Sequence, residues 1–538
     1  MPDLSNMPQG ERVIEIMDTT LRDGEQTSGT SFSSKEKLSI ARLLVKELNV
    51  DRLEIASARV SQGEMEGARE ITAWADKFGC LDRMEILGFV DGGISLAWIL
   101  NSGCRTVNLL TKGSLKHCEG QLKKTPEEHW DDIRRNIDMA ERMGIAVNIY
   151  LEDWSNGMLN SPGYVHGMLE SLKDSPIRRF MLPDTLGVLN PWNTYDFCAE
   201  IVASFPGLHF DFHPHNDYDL AVANAAAAVK AGISGLHTTI NGLGERAGNA
   251  PLSSILPVLK DQLHVSCRAV EKKINHISRI VESCSGIRIP SNKPVIGANV
   301  FTQCAGIHAD GDSKNNLYCN DLLPERFGRV REYALGKLSG KANIRKNLEA
   351  LSIQLDEDSM RRVTDRIIEL GDKKEVVTAE DLPYIIADVL KQDREEEQVR
   401  ILNYSLSLAQ GLKPVATIKI LINGCEYQET SSGDGQYNAF VQALKRIYKN
   451  QLKRDFPRLT NYSVNIPPGG RTNAIVQTFI SWEYRGEAFR TRGLDPDQTE
   501  AAIKATIKML NKIETMHSDR SGLQNDFQSP DDTQPAYY

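Results

Sequence analysis

The sequence predicts an α/β protein that begins with a closed (β/α)8 (TIM) barrel and continues into a mostly helical region and a C-terminal α+β domain. Short runs rich in Val, Ile and Leu alternate eight times with longer amphipathic stretches between residue 13 and about residue 260. No Gly-rich dinucleotide turn follows the first strand, as a doubly wound open sheet would usually require. Eight such units fit a closed barrel better than an open sheet.

The strand candidates are short apolar runs, and the helices between them carry their own start and stop signals. Helical segments such as SSKEKLSIARLLVKELN and TPEEHWDDIRRNIDMAERMG open with Ser or Thr, and several segments close at Gly. Barrel enzymes place their chemistry where strands run into the following loops, so polar residues at those points are candidate site residues. The strands, in order, are RVIEIMD, RLEIA, RMEILGFV, TVNLLT, AVNIYLE, RRFMLPD, LHFDFHPH and GLHTTING.

Composition divides the chain into four parts. The predicted barrel covers residues 1–285, and residues 286–400 form a mostly helical region whose charged end, KQDREEEQVR, is typical of a linker. In residues 401–518 a pattern of strands, a Gly-containing turn and a helix occurs twice, which predicts a small α+β domain. The polar, Pro-containing tail, 519–538, is predicted to be disordered.

The bulk composition excludes several classes of partner. A 538-residue chain with a formal net charge of -9 and a pI near 5.8 is not expected to bind nucleic acid or an anionic membrane. The N-terminus lacks a signal-peptide pattern and no apolar run reaches membrane-spanning length, so we expect a cytoplasmic protein. Nine cysteines without a C-x-x-C pair predict reduced thiols rather than disulfides or a zinc ribbon.

The pair of histidines in FDFHPHNDYDL predicts a metal site. In an extended strand His213 and His215 point to the same side, which is a chelating arrangement. The third ligand is expected to be Asp23, because a carboxylate at the end of the first strand can face the seventh strand across the barrel mouth. A metal-free interpretation has less support, since nothing structural favours two imidazoles together at a strand end.

Three motifs in order, TTLRDGEQ, HPHND and NGLGERAGN, resemble the acyl-CoA Claisen-condensing metalloenzymes: the isopropylmalate, homocitrate and citramalate synthases, with related lyases. The resemblance continues through GIHADGD, ALGKLSGKA and the C-terminal repeat, so it covers nearly the whole chain. Within that family EIASARVS, NLLTKGS, YLEDWSNG and LPDTLGV are similar to the citramalate synthases.

The resemblance implies a role for each candidate residue. The expected reaction joins acetyl-CoA to a 2-keto acid with the help of Mg²⁺ or Mn²⁺, Zn²⁺ being an alternative. Asp23, His213 and His215 would hold the metal, with Asn241 as a less certain ligand, and Arg22 would stabilise the charge on the keto oxygen. The remaining implied roles are substrate binding by Thr185 and Asp310 and methyl deprotonation by Glu152 and His308, with Tyr318 nearby.

The choice of keto acid depends on the space beyond the keto carbon. The residues that the resemblance places there imply a small apolar pocket suited to pyruvate, and they are Leu87, Leu110, Tyr150, Leu317 and Tyr318. The expected product is therefore citramalate, in isoleucine biosynthesis. The alternative is isopropylmalate from 2-ketoisovalerate, in leucine biosynthesis.

The resemblance also implies a homodimer with a shared active site and a C-terminal domain that senses an amino acid, isoleucine for a citramalate synthase and leucine for an isopropylmalate synthase. A simpler interpretation of that domain is a dimerisation module. Outside this family, the sequence leaves three alternatives. These are a barrel lyase, which usually lacks the C-terminal domain, a metallohydrolase, which would need more ligands, and a non-catalytic amino-acid sensor, which would be expected to have lost Arg22 or a metal ligand.

Overall fold

A computed structural model describes residues 12–313, 317–351, 353–372, 377, 379–390, 398–465, 476–495 and 497–525 of the chain. Eight parallel strands form a closed barrel in sequential order, which confirms the predicted fold. The strands are β1 (Glu15–Asp18), β2 (Arg52–Ser57), β3 (Met84–Phe89), β4 (Thr106–Lys112), β5 (Ala146–Glu152), β6 (Ile177–Asp184), β7 (Phe210–Pro214) and β8 (Gly235–Thr238).

The register of the strands closes the barrel and aligns the ends that carry polar side chains. Asp18 of β1 pairs with Thr238 of β8, so the first and last strands complete the ring. Lys112 of β4 lies directly beside Glu152 of β5, and Pro183 of β6 beside His213 of β7. Nearly every residue of these strands is buried, because one face fills the barrel and the other packs against helices.

Helices surround the barrel and start where the sequence provides caps. Ser33 with Glu36, and Thr125 with Glu128, form capping boxes at the starts of two of them. The α-helices around the barrel are Ser34–Leu43, Gln62–Lys77, Ile94–Asn101, Leu115–His117, Pro126–Arg142, Trp154–Asn160, Pro162–Leu172, Pro191–Ser204, Ala221–Ala231, Leu252–Pro257 and Ile274–Ser285. Among the described residues, no helix has the length and apolar character needed to cross a membrane.

The chain forms two compact units, and the one with the barrel extends beyond residue 285, where the predicted boundary lies. Of the described residues it contains 12–303, 311–313 and 317–332, because Val295, Ile296 and Phe327 are buried in the same apolar core as the barrel. Two short strands, Thr302–Gln303 and Glu332–Tyr333, and the helix Gly306–Ser313 lie in the segment where the chain passes between units.

The second unit has two apolar cores. The first belongs to the helical region and includes Ile344, Val363 and Leu382; its helices are Lys341–Ala350, Glu357–Asp372 and Leu382–Leu390. The second belongs to the C-terminal domain and is centred on side chains such as Phe440 and Trp482.

The C-terminal domain is a duplicated unit of three antiparallel strands followed by a helix, which confirms the predicted repeat. The first copy contains Val399–Ser407, Val415–Ile422, Cys425–Ser432 and the helix Gln436–Arg446. The second contains Arg458–Asn465, Val476–Tyr484, Glu487–Asp495 and the helix Gln498–Asn525. The third strand of each copy was not among the predicted elements.

The last helix runs to Asn525, so it extends past residue 519, where the predicted tail begins. No proline occurs between the start of that helix and Pro530, so nothing in this part of the sequence removes a helical backbone hydrogen bond. Residues 526–538 lie outside the described residues.

The close approach of Gly113 and Gly157 behind the ends of β4 and β5 leads to a stability prediction. A Cβ on Gly157 would lie 2.1 Å from the Gly113 carbonyl oxygen and 2.9 Å from Val165 Cγ2. We therefore expect Gly157→Ala to destabilise the protein by about 1–3 kcal/mol, visible as a lower Tm in scanning calorimetry.

Gly163 provides the matched control for that substitution. It lies in the neighbouring helix, and a Cβ placed there would meet no atom within 4 Å. Gly163→Ala should leave the Tm unchanged or raise it, since Ala favours a helix over Gly by about 1 kcal/mol. Equal Tm values for the two variants would contradict the packing argument.

Candidate metal centre and active site

Three ionisable side chains converge at the mouth of the barrel as the sequence predicts. His213 lies in β7 and His215 just after it, while Asp23 follows β1, and all three are buried. The Nε2 atoms of the two histidines are 3.3 Å apart, and Asp23 Oδ2 lies 3.4 Å from His213 Nε2 and 4.0 Å from His215 Nε2. The three donor atoms therefore face a common point.

These residues fit a divalent cation in geometry and in charge. Two ligand atoms bound at adjacent positions around one ion at about 2.1 Å are separated by about 3 to 3.5 Å, close to the spacing of these donors. Burial lowers the pKa of both His213 and His215 to about 4, so their nitrogens carry lone pairs at neutral pH. Burial by itself would raise the pKa of Asp23, but Arg22 and His213 hold it well below its usual value, and the carboxylate stays charged.

Arg22 connects the triad to the rest of the barrel mouth. Its NH1 donates to Asp23 Oδ2 at 2.8 Å, its Nε donates to Glu54 Oε2 at 2.5 Å, and its NH2 reaches the Tyr150 hydroxyl at 3.3 Å. Burial disfavours the charge on Arg22, but the two carboxylates outweigh it and raise the pKa of the guanidinium. Burial raises the pKa of Glu54, and the Asn108 amide donates to its second oxygen.

The loop NGLGERAGN after β8 packs directly against Asp23. A Cβ on Gly244 would lie 2.2 Å from Asn249 Nδ2 and 3.2 Å from Asp23 Oδ1, so only glycine allows this approach. Thr27 fixes the loop through hydrogen bonds with both the N–H and the carbonyl of Gly244. Asn249 Nδ2 donates to Asp23 Oδ1 at 2.9 Å. The loop therefore orients the carboxylate.

Apolar side chains form a wall beside the triad. Tyr150 and Leu87 are buried in one cluster with Met17 and Met181, and Leu110 packs against it. The ring of Tyr150 meets the His213 ring edge-on with centroids 5.9 Å apart. Three of the five residues predicted to line the substrate pocket thus lie in one cluster, and Tyr150 connects this cluster to His213.

Glu152 ends β5 and forms an ion pair with Lys112, its neighbour on β4. Its side chain is 27% exposed, so a substrate entering the mouth can reach it. Two hydrogen bonds fix the backbone of Lys112. Its N–H donates to His129 Nε2, and its carbonyl accepts from the Tyr164 hydroxyl. The carboxylate proposed as a base therefore has a fixed cationic neighbour.

Comparison with known families accounts for nearly the whole chain. The HMGL-like family matches residues 13–281, which is half of the chain. The chain belongs to the HMGL-like family. The homocitrate synthase post-HMGL domain-like family matches residues 295–375, and the LeuA allosteric (dimerisation) domain matches residues 376–514. The order of the three matches follows the barrel, the helical region and the C-terminal repeat.

Relatives within the HMGL-like family match over their full length. An (R)-citramalate synthase of Methanocaldococcus jannaschii is 30% identical over 93% of this chain and 99% of its own. A 2-isopropylmalate synthase of Pyrococcus furiosus is 31% identical over 93% of this chain and 99% of its own. A solved HMG-CoA lyase of Bacillus subtilis is 20% identical and covers 53% of this chain and 97% of its own, with a TM-score of 0.46.

Two residues predicted to lie at the centre make other contacts. Asn241 follows β8 with a left-handed backbone, and its amide donates to the Ser278 carbonyl in the helix Ile274–Ser285, so it is turned toward that helix. Thr185 follows β6, and its hydroxyl accepts from the Asp153 N–H while its carbonyl accepts from Arg246. Asn249, rather than Asn241, is the amide that contacts Asp23.

The predicted residues beyond the barrel fall in both compact units. His308 and Asp310 lie in the helix Gly306–Ser313 within the second unit, and His308 is exposed. Leu317 and Tyr318 belong to the first unit and are 69% and 48% exposed. They do not belong to the buried cluster of Tyr150 and Leu87. Their proposed roles stay predictions from the sequence.

Sequence reasoning missed a group of buried polar residues beneath the triad, namely Arg52, Asp211 and His237, and also Asn249 above it. A signal existed for two of them. Asp211 and His213 are two residues apart in one strand and share a face, and His237 is an ionisable residue inside the fully buried strand β8. The signal for Asn249 was its place in the motif NGLGERAGN, of which only Asn241 is singled out from the sequence; the role of Asn241 as a ligand stays a prediction.

The lowered pKa of the two histidines predicts how metal binding depends on pH. With a pKa of about 4, both imidazoles stay neutral at pH 5.5, and the Kd for Mn²⁺ should be nearly the same at pH 5.5 and pH 8. Two exposed histidines of pKa near 6.5 would instead lose about 100-fold in affinity over that range. Calorimetric titration of the metal-free protein measures the difference, and such a loss would contradict the buried environment.

Proposed function

We propose that the protein is a citramalate synthase, which condenses acetyl-CoA with pyruvate to form (R)-citramalate and CoA. The observation that carries this proposal is the convergence of Asp23, His213 and His215 beside Arg22 and the wall formed by Tyr150. Membership in the HMGL-like family and full-length relatives named (R)-citramalate synthase support it.

The residues of the triad and Arg22 supply what the keto acid needs. A divalent cation held by Asp23, His213 and His215, Mg²⁺ or Mn²⁺ in the first instance, supplies Lewis-acid polarisation of the keto carbonyl. Arg22 is the donor placed to stabilise the negative charge that develops on the keto oxygen. Glu54 restrains the Arg22 side chain from the opposite side, so the donor is oriented before substrate binds.

The second part of the reaction removes a proton from the methyl group of acetyl-CoA. Glu152 is the proposed base, since its carboxylate lies at the end of β5 and is partly exposed. The methyl carbon then bonds to the keto carbon of pyruvate as the π electrons of the C=O bond move to oxygen, the alkoxide takes up a proton, and water hydrolyses the thioester to give the second carboxylate and CoA. His308 is proposed to share the methyl deprotonation with Glu152, with Tyr318 nearby, and Thr185 and Asp310 are proposed to bind the substrate, Thr185 at its carboxylate.

The apolar wall is the basis for proposing pyruvate rather than a longer keto acid. Tyr150, Leu87 and Leu110 pack around the space beside His213 and Arg22, and the Tyr150 ring occupies volume that a branched side chain would need. Exclusion by shape discriminates more strongly than the loss of one methylene contact, which is worth about 1 to 3 kcal/mol. Isopropylmalate synthesis is the second candidate, because relatives of comparable identity carry that name.

We further propose that the chain acts as a homodimer in the cytoplasm and that its C-terminal domain binds a regulatory amino acid. The match of residues 376–514 to the LeuA allosteric (dimerisation) domain supports both assembly and regulation. Isoleucine is the effector expected for a citramalate synthase.

A direct assay separates the candidate substrates. We expect free CoA thiol to appear faster with pyruvate than with 2-ketoisovalerate or 2-ketoglutarate, when each is mixed with protein, acetyl-CoA and Mn²⁺. The reason is that the Tyr150 wall admits a methyl group and offers no cation for a distal carboxylate. If turnover were faster with 2-ketoisovalerate, the proposed product would be isopropylmalate instead of citramalate.

Asp23→Asn is the control that connects turnover to the triad. The substitution keeps the side-chain shape but removes the charge that faces both histidines, so turnover should vanish while the Tm of the fold is retained. Activity with pyruvate in this variant would remove the proposed ligand set.

Substitution of Tyr150 in the apolar wall is expected to change the selectivity between keto acids. Tyr150→Ala opens the volume beside His213, so the ratio of kcat/KM for 2-ketoisovalerate to that for pyruvate should rise about tenfold or more. Tyr150→Phe is the matched control, because it keeps the ring and removes only the hydroxyl. An unchanged ratio in Tyr150→Ala would show that the ring is not the selective element.

A further inference from the structure

A second layer of buried charge lies beneath the triad, inside the barrel. Asp211 of β7 accepts from Arg52 NH2, and Arg52 NH1 lies 3.3 Å from both carboxylate oxygens of Glu85. The side chains of Asp211 and His237 are fully buried. His237 of β8 is the member of this layer that reaches upward to the metal ligands, because its Nδ1 is 3.3 Å from His213 Nδ1.

The charges of this layer determine which nitrogen of His237 carries its proton. Asp211 is paired with Arg52, whose guanidinium donates to Oδ2, and its Oδ1 lies 2.9 Å from His209 Nε2, so both carboxylate oxygens face donors. A carboxylate can only accept, so His237 Nε2, 3.2 Å from Asp211 Oδ2, is the donor. The other nitrogen of the neutral ring, Nδ1, is then an acceptor.

The protonation of His237 in turn determines which nitrogen of His213 carries its proton. Since His237 Nδ1 accepts, His213 Nδ1 is the donor in the 3.3 Å contact between them. The lone pair of His213 is therefore on Nε2, the atom that faces Asp23 Oδ2 and His215 Nε2. His215 differs, because its Nδ1 finds no hydrogen-bond partner among the described residues.

We propose that His237 is a positioning residue for the metal centre: held by Asp211 and Arg52, it accepts the Nδ1 proton of His213 and turns His213 Nε2 toward the cation. This inference rests on the proposed function, because it requires that the triad binds a divalent cation. Partners that orient a ligating imidazole typically change metal affinity by about 10- to 100-fold when removed.

Tyr150 makes it possible to separate this role from a general contribution to packing. Its hydroxyl also reaches His237 Nδ1, at 2.9 Å, and so shares the acceptor with His213. Removal of the hydroxyl disturbs the same buried layer but leaves the acceptor to His213. If His237 positions His213, removing the His237 ring should weaken Mn²⁺ binding, whereas removing only the Tyr150 hydroxyl should leave Mn²⁺ binding unchanged.

The test is calorimetric titration of Mn²⁺ into the metal-free, full-length protein at pH 7.5. His237→Ala should raise the Kd about 10-fold or more, whereas Tyr150→Phe should leave it within about twofold of the wild type. His237→Asn places an amide oxygen near the position of Nδ1 and should recover part of the lost affinity. His166→Ala removes a histidine on an outer helix, where it pairs with Glu200, and serves as the matched control.

His237→Leu provides a second variant if His237→Ala does not fold. The leucine side chain fills about the volume of the ring and removes the acceptor for His213 Nδ1. It should weaken Mn²⁺ binding about as much as His237→Ala. Unchanged binding in whichever of the two variants folds would overturn the inference, whereas a wild-type protein that binds no Mn²⁺ would overturn the proposed function itself.

Discussion

The arrangement of the barrel mouth depends on one constraint: the carboxylate of Asp23 is buried and must stay ionised. Removal from water opposes its charge, and without compensation the group would take up a proton instead. Arg22 and Asn249 each donate to it, and His213 lies beside it. The surroundings that keep Asp23 charged also bring two neutral imidazoles and one guanidinium to the same point, which is the arrangement that a chelated keto acid requires.

The charged groups of the barrel interior are arranged in two layers. In the upper layer Arg22 lies between Asp23 and Glu54, and in the lower layer Arg52 contacts Asp211. His237 and Tyr150 join the layers through hydrogen bonds. Buried ion pairs of this kind contribute little net stability compared with apolar packing. Their value in this barrel lies in orienting the ligand atoms and the wall.

Local sequence signals were sufficient to predict the helices and strands that are buried or that have clear start and stop residues. All eight barrel strands were predicted in order, because each is a short apolar run and the runs alternate with longer amphipathic segments. The third strands of the C-terminal repeat, Cys425–Ser432 and Glu487–Asp495, were missed. The first of these is mostly exposed, so its sequence carries no apolar alternation.

The site was predicted where a motif holds several ligands close in sequence. His213 and His215 share a face of one strand by the geometry of any strand, and Asp23 follows from the closure of the barrel. The contact between Asn249 and Asp23 could not be predicted from sequence, since Asn241 and Asn249 belong to one loop and only the path of that loop decides which amide returns to Asp23.

The sequence by itself determined the barrel, the repeat and the three candidate metal ligands, because these depend on periodicity and spacing within short segments. Only the tertiary structure decided which buried polar groups meet. Arg52, Asp211 and His237 come from three different strands, and their hydrogen bonds exist only because the closed barrel places β2, β7 and β8 around one interior. Contacts between distant segments are set by packing and register, which no single stretch of sequence encodes.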